Sequence, residues 1–344
     1  MMNQKGRDKT IDIMRGISII VMIMGHIGIG IASHDKNFST WYHAWHMPVF
    51  YIVSGFFFSR TYDMDFFVKK KSKNLLLPFF FFGVLNIVLN YFNDGNSKNA
   101  TQAVIGALFR KPTDAGIYCA GALWFLPALF WSEMIYKVLT QIVKNNTLFY
   151  ISTCLIGVGG VIAEKHNIFL PFALDAALVA IPFVALGELL KICRQTKYAR
   201  KIFHTPWYLF CGLLIFTTLL IFYNGEVNFR TGVYGNEIIA FINASLATIL
   251  LWNISRIISN KFTKNLLKTI SDVLASIGRN SIIYLCLNQR IIYFVKPIIS
   301  NYFNGTIIKC YIGMICTLVV VIFVCHILMK IFDGNNKLQC FVGK

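Results

Sequence analysis

Ten apolar stretches dominate the sequence, each about 20 residues long and therefore able to cross the ~30 Å hydrocarbon core of a bilayer. Hydrophobic residues make up 56% of the chain and charged residues 14%, whereas a soluble domain carries about 25% charged residues. One soluble core could not bury this much apolar surface. The chain is therefore predicted to be all-α, a polytopic integral membrane bundle of about ten transmembrane helices. The stretches fall near 11–33, 41–59, 75–92, 117–138, 147–163, 168–190, 207–223, 237–256, 278–296 and 307–329.

The positive charge of the chain follows a pattern typical of membrane topology. The net charge is +18, but the 33 Lys and Arg residues occur in short clusters between the apolar stretches. A nucleic-acid-binding protein instead concentrates its basic residues on one face, so we expect no nucleic-acid partner. With the N-terminus inside, 22 of these residues lie in inner segments and 8 in outer segments. Because short cytoplasmic loops carry the excess of Lys and Arg, both termini are predicted to be cytoplasmic.

The sequence predicts one membrane domain and no soluble domain. Residues 1–10 are expected to form a cytoplasmic segment, 11–330 the membrane domain and 331–344 a cytoplasmic tail. Among the outer connections, only 93–116 has room for an irregular lid. We expect a multi-pass protein of a bacterial-type cytoplasmic membrane, surrounded by membrane lipid.

Arg15 and His26 lie in the first apolar stretch, where an ionisable side chain costs about 2.5 to 3.5 kcal/mol. They are eleven residues apart, which places both side chains on one helix face, about 16 Å apart along the axis. Each residue has a structural alternative. Arg15 could pair with Asp12 and extend to the headgroups, and His26 could be a hydrogen-bonded core histidine. We treat both as candidates for a site within the membrane.

Two further histidines occur where the second apolar stretch enters from outside. His46 lies a few residues inside this stretch, at a depth similar to that of His26, so the two are predicted to face each other. His43 shares a helix face with His46 at a spacing of three residues. No third ligand has a comparable position and no HExxH motif is present, so no metal site is expected.

The connection after the second stretch ends in the basic run Lys69-Lys70-Lys71-Ser72-Lys73. Cytoplasmic topology alone explains most runs of this kind. The functional alternative is electrostatic capture of a phosphorylated cofactor that arrives from the cytoplasm.

Several motifs occur together in an order that identifies a family resemblance. The pattern Asp-x-x-Arg-Gly begins at Asp12, a His follows the Arg after ten intervening residues, and His-Met-Pro and Ser-Gly-Phe-Phe follow in the second stretch. This set resembles the acyltransferase 3 family of polytopic membrane acyltransferases over nearly the whole chain, and it looks most like the fucose or exopolysaccharide O-acetyltransferase branch. Weaker agreeing motifs are Leu76-Leu77-Pro78, Leu123-Trp124-Phe125-Leu126-Pro127, Leu174-Asp175-Ala176-Ala177-Leu178 and Ile277-Gly278-Arg279-Asn280-Ser281-Ile282.

The resemblance implies a ten-helix fold, an acyl-coenzyme A donor and a carbohydrate hydroxyl as acceptor. Acetyl-CoA is expected as a co-substrate, with no tightly bound cofactor. By this resemblance His26 is the catalytic histidine and Arg15 its partner, and we add His46 as a catalytic candidate. Arg15, Lys71 and Lys73 are expected to hold the coenzyme A phosphates; the two lysines stand where many members carry Arg-x-Arg. Asn288 stands where many relatives carry His, so no catalytic role is assigned to it. Acceptor binding is assigned to His43, Trp124 and Asp175.

The chemistry of these residues is consistent with acyl transfer. A sugar hydroxyl must lose its proton as it attacks a thioester, and histidine, with an ordinary pKa near 6.5, can accept that proton near neutral pH. His26 could act as the base, or it could accept the acetyl group covalently before transfer. Both mechanisms remain open at this stage.

A secondary transporter or flippase is the alternative class, since it too combines about ten helices with charges inside the membrane. No internal duplication is evident by inspection, which counts against this class. The charges that could line a transport pathway are Glu133, Asp175, Glu188 and Arg290.

Overall fold

The computed structural model describes residues 8–28, 36–94, 121–196, 200–303 and 305–344. Its regular structure in these ranges is helical, apart from one isolated β-bridge between Asn228 and Val233. The predicted lid at 93–116 lies almost wholly outside the described residues. The α-helices are α1 (Lys9–Ile27), α2 (Lys36–His43), α3 (His46–Phe56), α4 (Met64–Lys71), α5 (Leu77–Asp94), α6 (Phe125–Ile142), α7 (Asn146–Lys165), α8 (Leu174–Cys193), α9 (Arg200–Phe203), α10 (Trp207–Asn224), α11 (Glu237–Lys261), α12 (Asn265–Arg279), α13 (Ser281–Phe303), α14 (Ile307–Gly334) and α15 (Asn336–Gln339).

Eight helical segments in the described ranges are long and apolar enough to cross a bilayer. A π-helical turn at Ser72–Leu76 joins α4 to α5 and a 3-10 turn at Pro171–Ala173 precedes α8, so each pair makes one long segment. The chain is therefore a multi-pass membrane protein with a helical bundle. The eight segments are Lys9–Ile27, Met64–Phe92, Asn146–Lys165, Pro171–Cys193, Trp207–Asn224, Glu237–Lys261, Ser281–Phe303 and Ile307–Gly334.

The predicted stretch 41–59 is not one helix. It divides at Ala44 and Trp45 into α2 and α3, and the 11 residues of α3 extend only about 16 Å, about half the hydrocarbon core. Ten consecutive residues of α3, from His46 to Gly55, are nevertheless buried. α3 is thus an inner helix that carries His46 to a fixed depth in the bundle.

Glycine contacts set the two closest helix crossings around the site. A Cβ on Gly55 would lie 1.9 Å from the backbone oxygen of Val184, and one on Gly187 would lie 1.9 Å from that of Ile52, so α3 and α8 touch backbone to backbone. Gly16 and Gly278 join α1 to α12 in the same way. Small residues permit such close approach, which is how membrane helices pack in the absence of a hydrophobic driving force.

Helix α12 lies in the region expected to be a simple connection between the eighth and ninth stretches. It is amphipathic, and its buried residues Ser271, Ala275 and Gly278 recur at spacings of four and three along one face. The Nζ of Lys9 donates to Oδ1 of Asp272 at 2.8 Å, which holds the pKa of that carboxyl below its ordinary value. This contact fastens the exposed side of α12 to the start of α1.

Candidate active site

The histidine cavity, as we name it, is a space of about 160 Å³ that three histidines and Trp124 line together. His26 comes from the last turn of α1, His43 from the end of α2, and His46 from the start of α3. Trp124 stands immediately before α6. The four residues are separated in sequence by up to 98 positions, so the helix packing creates the cluster.

The His26 imidazole is oriented by Asn288 of α13. Both amide hydrogens of Asn288 are committed to backbone carbonyls, since Nδ2 donates to Tyr284 O at 2.8 Å and to Leu285 O at 2.9 Å. Its Oδ1 lies 2.8 Å from Nδ1 of His26 and can only accept. His26 therefore carries its proton on Nδ1, and the neutral ring presents an unprotonated Nε2. That nitrogen is the atom a general base or a nucleophile requires.

His43 and His46 are held in the same tautomer by a different contact. Nδ1 of His46 donates to the carbonyl of Tyr42 at 2.7 Å, and Nδ1 of His43 donates to the carbonyl of Ser39 at 3.0 Å. Their ring centroids are 5.4 Å apart. Tyr42 packs against both rings and also against Gly25, where a Cβ would lie 2.3 Å from the tyrosine hydroxyl. The glycine before His26 thus admits the ring that supports the other two histidines.

Three polar residues not selected from the sequence also line the histidine cavity: Asn228, Arg230 and Gln289. Gly121 contacts two of them: a Cβ added to this glycine would lie 3.0 Å from Nη1 of Arg230 and 3.2 Å from Nε2 of Gln289. In the sequence Arg230 is one of the eight outer Lys and Arg residues. The cavity thus contains a guanidinium able to stabilise negative charge on an oxygen. No group of three or more His, Cys, Asp or Glu residues that could hold a metal occurs in the described part of the chain.

The basic cavity, as we name it, is a second space of about 350 Å³. Its basic side chains are Arg15 of α1, Lys71 at the end of α4, Arg279 at the end of α12, and Lys344. Lys73 is exposed and does not line it. The acidic residue in its wall is Glu133. Outside the lining, Asp12 lies 3.8 Å from Arg279 and Asp333 lies 2.5 Å from Lys344. Four cations against three carboxylates still leave an excess of positive charge, which suits phosphate groups.

Lys71 is positioned in the basic cavity by Glu133, whose side chain is only 1% exposed. Nζ of Lys71 and Oγ of Ser54 both donate to the same oxygen, Oε1 of Glu133, at 2.5 Å. This contact joins the basic run to α6 and α3. Arg15 stacks over Phe57, with Cζ 5.6 Å from the ring centroid.

The linings of the two cavities meet at Leu285 of α13, and α1 contributes Arg15 to the basic cavity and His26 to the histidine cavity. The eleven-residue separation corresponds to about 16 Å of helix axis. The chain thus has basic side chains near one end of α1 and an imidazole Nε2 near the other.

Asp175, assigned from the sequence to acceptor binding, lies elsewhere in the structure. It is fully buried in the first turn of α8 and lines neither cavity. Its assignment to acceptor binding stays a prediction.

The charges that could have lined a transport pathway are engaged in fixed contacts. The guanidinium of Arg60 donates twice to Glu188, at 2.8 and 2.6 Å, and Tyr136 donates to the same carboxylate at 2.6 Å. Arg290 donates to Asn86 and Asn90 between α13 and α5. These contacts join helices together, as structural ion pairs and hydrogen bonds do, and nothing in their arrangement favours the transporter alternative.

Comparison with known proteins assigns the family. Neither the curated proteins nor the solved structures include one that matches this chain. The family model of the acyltransferase domain, of the acyltransferase 3 type, matches residues 8–326, nearly the whole chain and all of the residues that build the histidine cavity. This protein therefore belongs to the acyltransferase 3 family of membrane acyltransferases.

Proposed function

We propose that the protein transfers an acetyl group from acetyl-CoA to a hydroxyl of a carbohydrate, as an O-acetyltransferase of the fucose or exopolysaccharide type. The acceptor would be a cell-surface polysaccharide, an exopolysaccharide or its lipid-linked precursor. The observation that carries this proposal is the adjoining pair of cavities, with Arg15 and Lys71 in one and His26 in the other.

The donor enters through the basic cavity in this proposal. Coenzyme A is on the order of 20 Å long when extended, which exceeds the ~16 Å between Arg15 and His26 along α1. Its phosphates can therefore contact Arg15, Lys71 and Arg279 while the thioester lies beside His26. In this proposal the basic cavity lies at the cytoplasmic face together with both termini, and the excess of Lys and Arg in the segments on this side supports that orientation.

The reaction at His26 follows from its tautomer. Nε2 takes the proton of the acceptor hydroxyl as its oxygen attacks the thioester carbonyl carbon. The tetrahedral intermediate then expels the sulfur of coenzyme A, which receives the proton from His26. Arg230 is the cation in the cavity that can stabilise the oxyanion. In the covalent variant Nε2 itself attacks the thioester carbonyl carbon and expels the thiolate of coenzyme A. The acceptor hydroxyl oxygen then attacks the acetyl carbonyl carbon, the imidazole leaves, and the hydroxyl proton goes to the thiolate.

The acceptor stays within reach of the same nitrogen. His43, His46 and Trp124 line the cavity opposite His26 and offer two further imidazole Nε2 acceptors and an aromatic face. Hydroxyl groups donate to such nitrogens and sugar rings stack on such faces. His43 and His46 can both orient the acceptor, because a backbone carbonyl fixes each ring.

The test is chemical. Purified protein in proteoliposomes should release free coenzyme A from acetyl-CoA when a glycan acceptor is present, and the acceptor should gain the mass of an acetyl group. Cell-envelope glycans from cells with and without the protein should differ by the same mass. A protein that neither binds nor consumes acetyl-CoA with any glycan acceptor would contradict the proposal.

A further inference from the structure

An apolar groove of about 430 Å³ lies between α7, α8 and α11, apart from the two cavities described above. Its walls include Gly157 and Val161 of α7, Pro182 of α8, and Ala240 and Phe241 of α11. Its outer edge faces the lipid, because Val158, Ile162 and Ile238, which also line it, are 55%, 51% and 72% exposed. The groove is thus accessible from the bilayer.

The depth of the groove corresponds to one leaflet. On α7 its lining extends from Cys154 to Lys165, about 16 Å of helix axis and about half of a 30 Å hydrocarbon core. Lys165 pairs with Glu237 at its polar end. A hydrocarbon chain of about a dozen carbons has this length.

One residue separates the groove from the histidine cavity. Phe229 lines both, and its ring centroid lies 5.8 Å from that of Phe183 and 5.1 Å from that of Tyr234, two other groove residues. Its chain neighbours Asn228 and Arg230 line only the histidine cavity. A molecule with its tail in the groove would therefore carry its head group to the side of the protein where His26, His43 and His46 lie.

We propose that the groove binds the hydrocarbon tail of a lipid-anchored acceptor, whose carbohydrate head enters the histidine cavity past Phe229. This inference rests on the proposed function, and it selects a lipid-linked saccharide over a free sugar or a finished polymer. A bulk phospholipid would fill the groove equally well by its chains alone. What favours the tethered acceptor is the shared wall at Phe229, because a head group that passes this wall reaches the cavity in which a sugar hydroxyl can meet Nε2 of His26.

The direct test is photocrosslinking in proteoliposomes. The probe is a dodecyl fucoside with a diazirine at the end of its chain, and mass spectrometry locates the adducts. Adducts should concentrate on the groove faces of α7 and α11, be competed by dodecyl fucoside and not by methyl fucoside, and be lost in Val161→Trp. Leu155→Trp is the matched control, since Leu155 is on α7, 65% exposed, and outside the groove. Ala240→Leu, on the opposite wall, replaces Val161→Trp if that variant does not fold.

Two results would overturn the proposal. Adducts spread evenly over the lipid-facing helices would show that the groove is not a site. Equal labelling by a diazirine phospholipid, with competition by phospholipid alone, would show an ordinary bilayer lipid.

Acetyl transfer to the same two fucosides provides the catalytic readout. The tail reaches the groove from the bilayer, so its binding depends on contact with the groove walls and not on removal from water. In Val161→Trp the preference for the dodecyl over the methyl acceptor should therefore be smaller than in Leu155→Trp, with transfer to methyl fucoside unchanged. Equal loss with both acceptors would contradict the proposal. Failure of the proposed function itself would look different: acetyl-CoA would remain unconsumed with every acceptor while groove crosslinking persisted.

Discussion

Asn288→Leu should reduce turnover while leaving acetyl-CoA binding intact, because it removes the hydrogen-bond acceptor that fixes the His26 tautomer. In the structure Oδ1 of Asn288 lies 2.8 Å from Nδ1 of His26. Without it a buried N–H has no acceptor, which costs about 1 to 3 kcal/mol. If that cost falls on the state with a free Nε2, kcat should drop about 5- to 150-fold. The other two bonds of Asn288 stay within α13, so their loss affects the helix locally.

The assay is steady-state acetyl transfer in proteoliposomes, combined with titration of acetyl-CoA binding. Thr317→Val is the matched control, since it also removes a buried intrahelical hydrogen bond, to Gly313 O at 2.8 Å, but in α14 and outside both cavities. Asn288→Asp should retain more activity than Asn288→Leu, because a carboxylate also accepts from Nδ1–H. It should move the acid limb of kcat/KM to higher pH, since the negative charge stabilises the imidazolium. Equal loss in Asn288→Leu and Thr317→Val would refute the positioning role.

Three further outcomes are expected. Replacing Arg15 or Lys71 with Ala should raise the KM for acetyl-CoA more than replacing the exposed Lys73 does. The same replacements should weaken the decrease of acetyl-CoA affinity with ionic strength. Equal effects at all three positions would make the basic run only a topology signal. Gly278→Leu should prevent folding or lower the thermal midpoint strongly, because its side chain would meet the Asp12 carbonyl at 1.7 Å, whereas Gly334→Leu, with no atom nearby, should be tolerated. Cysteine-accessibility mapping should place Lys36, Lys165 and Arg230 outside the membrane. It should place Lys71 and Lys264 inside.

The candidate residues that sequence reasoning could select are those whose type is costly in a membrane. Arg15 and His26 could be identified because an ionisable group in an apolar stretch requires a partner or a task, and helical periodicity alone predicted their shared face. His43 and His46 followed from their position at the start of the next stretch. The cavity that these three histidines line together is a consequence of tertiary packing.

The residues that sequence reasoning missed depend on contacts between distant segments. Asn288 meets His26 across 262 positions, and a polar amide in an apolar stretch does not reveal its partner. Arg230 was interpreted as a loop charge because topology rules count charges without locating their side chains. The break between α2 and α3 was not predicted, since a hydropathy window joins two short helices into one.

The motif glycines acquire a physical explanation from the structure. Gly16, Gly55 and Gly278 belonged to the patterns that suggested the family, and each lies at a backbone-to-backbone helix crossing. Gly187, in none of those patterns, completes the crossing of α3 with α8. The spacing of such residues indicates where helices can approach, and only the fold shows which helices do.

The central claim, that His26 performs acyl transfer on a donor held by the basic cavity, is tested most directly by one paired measurement on His26→Ala. Acetyl transfer to a glycan acceptor and the Kd for acetyl-CoA are measured on the same folded, proteoliposome-inserted protein. The account predicts that transfer falls about 10²- to 10⁴-fold while the Kd stays that of the unaltered protein. Transfer within a few-fold of the unaltered protein, or a loss of transfer explained by lost donor binding, would contradict it.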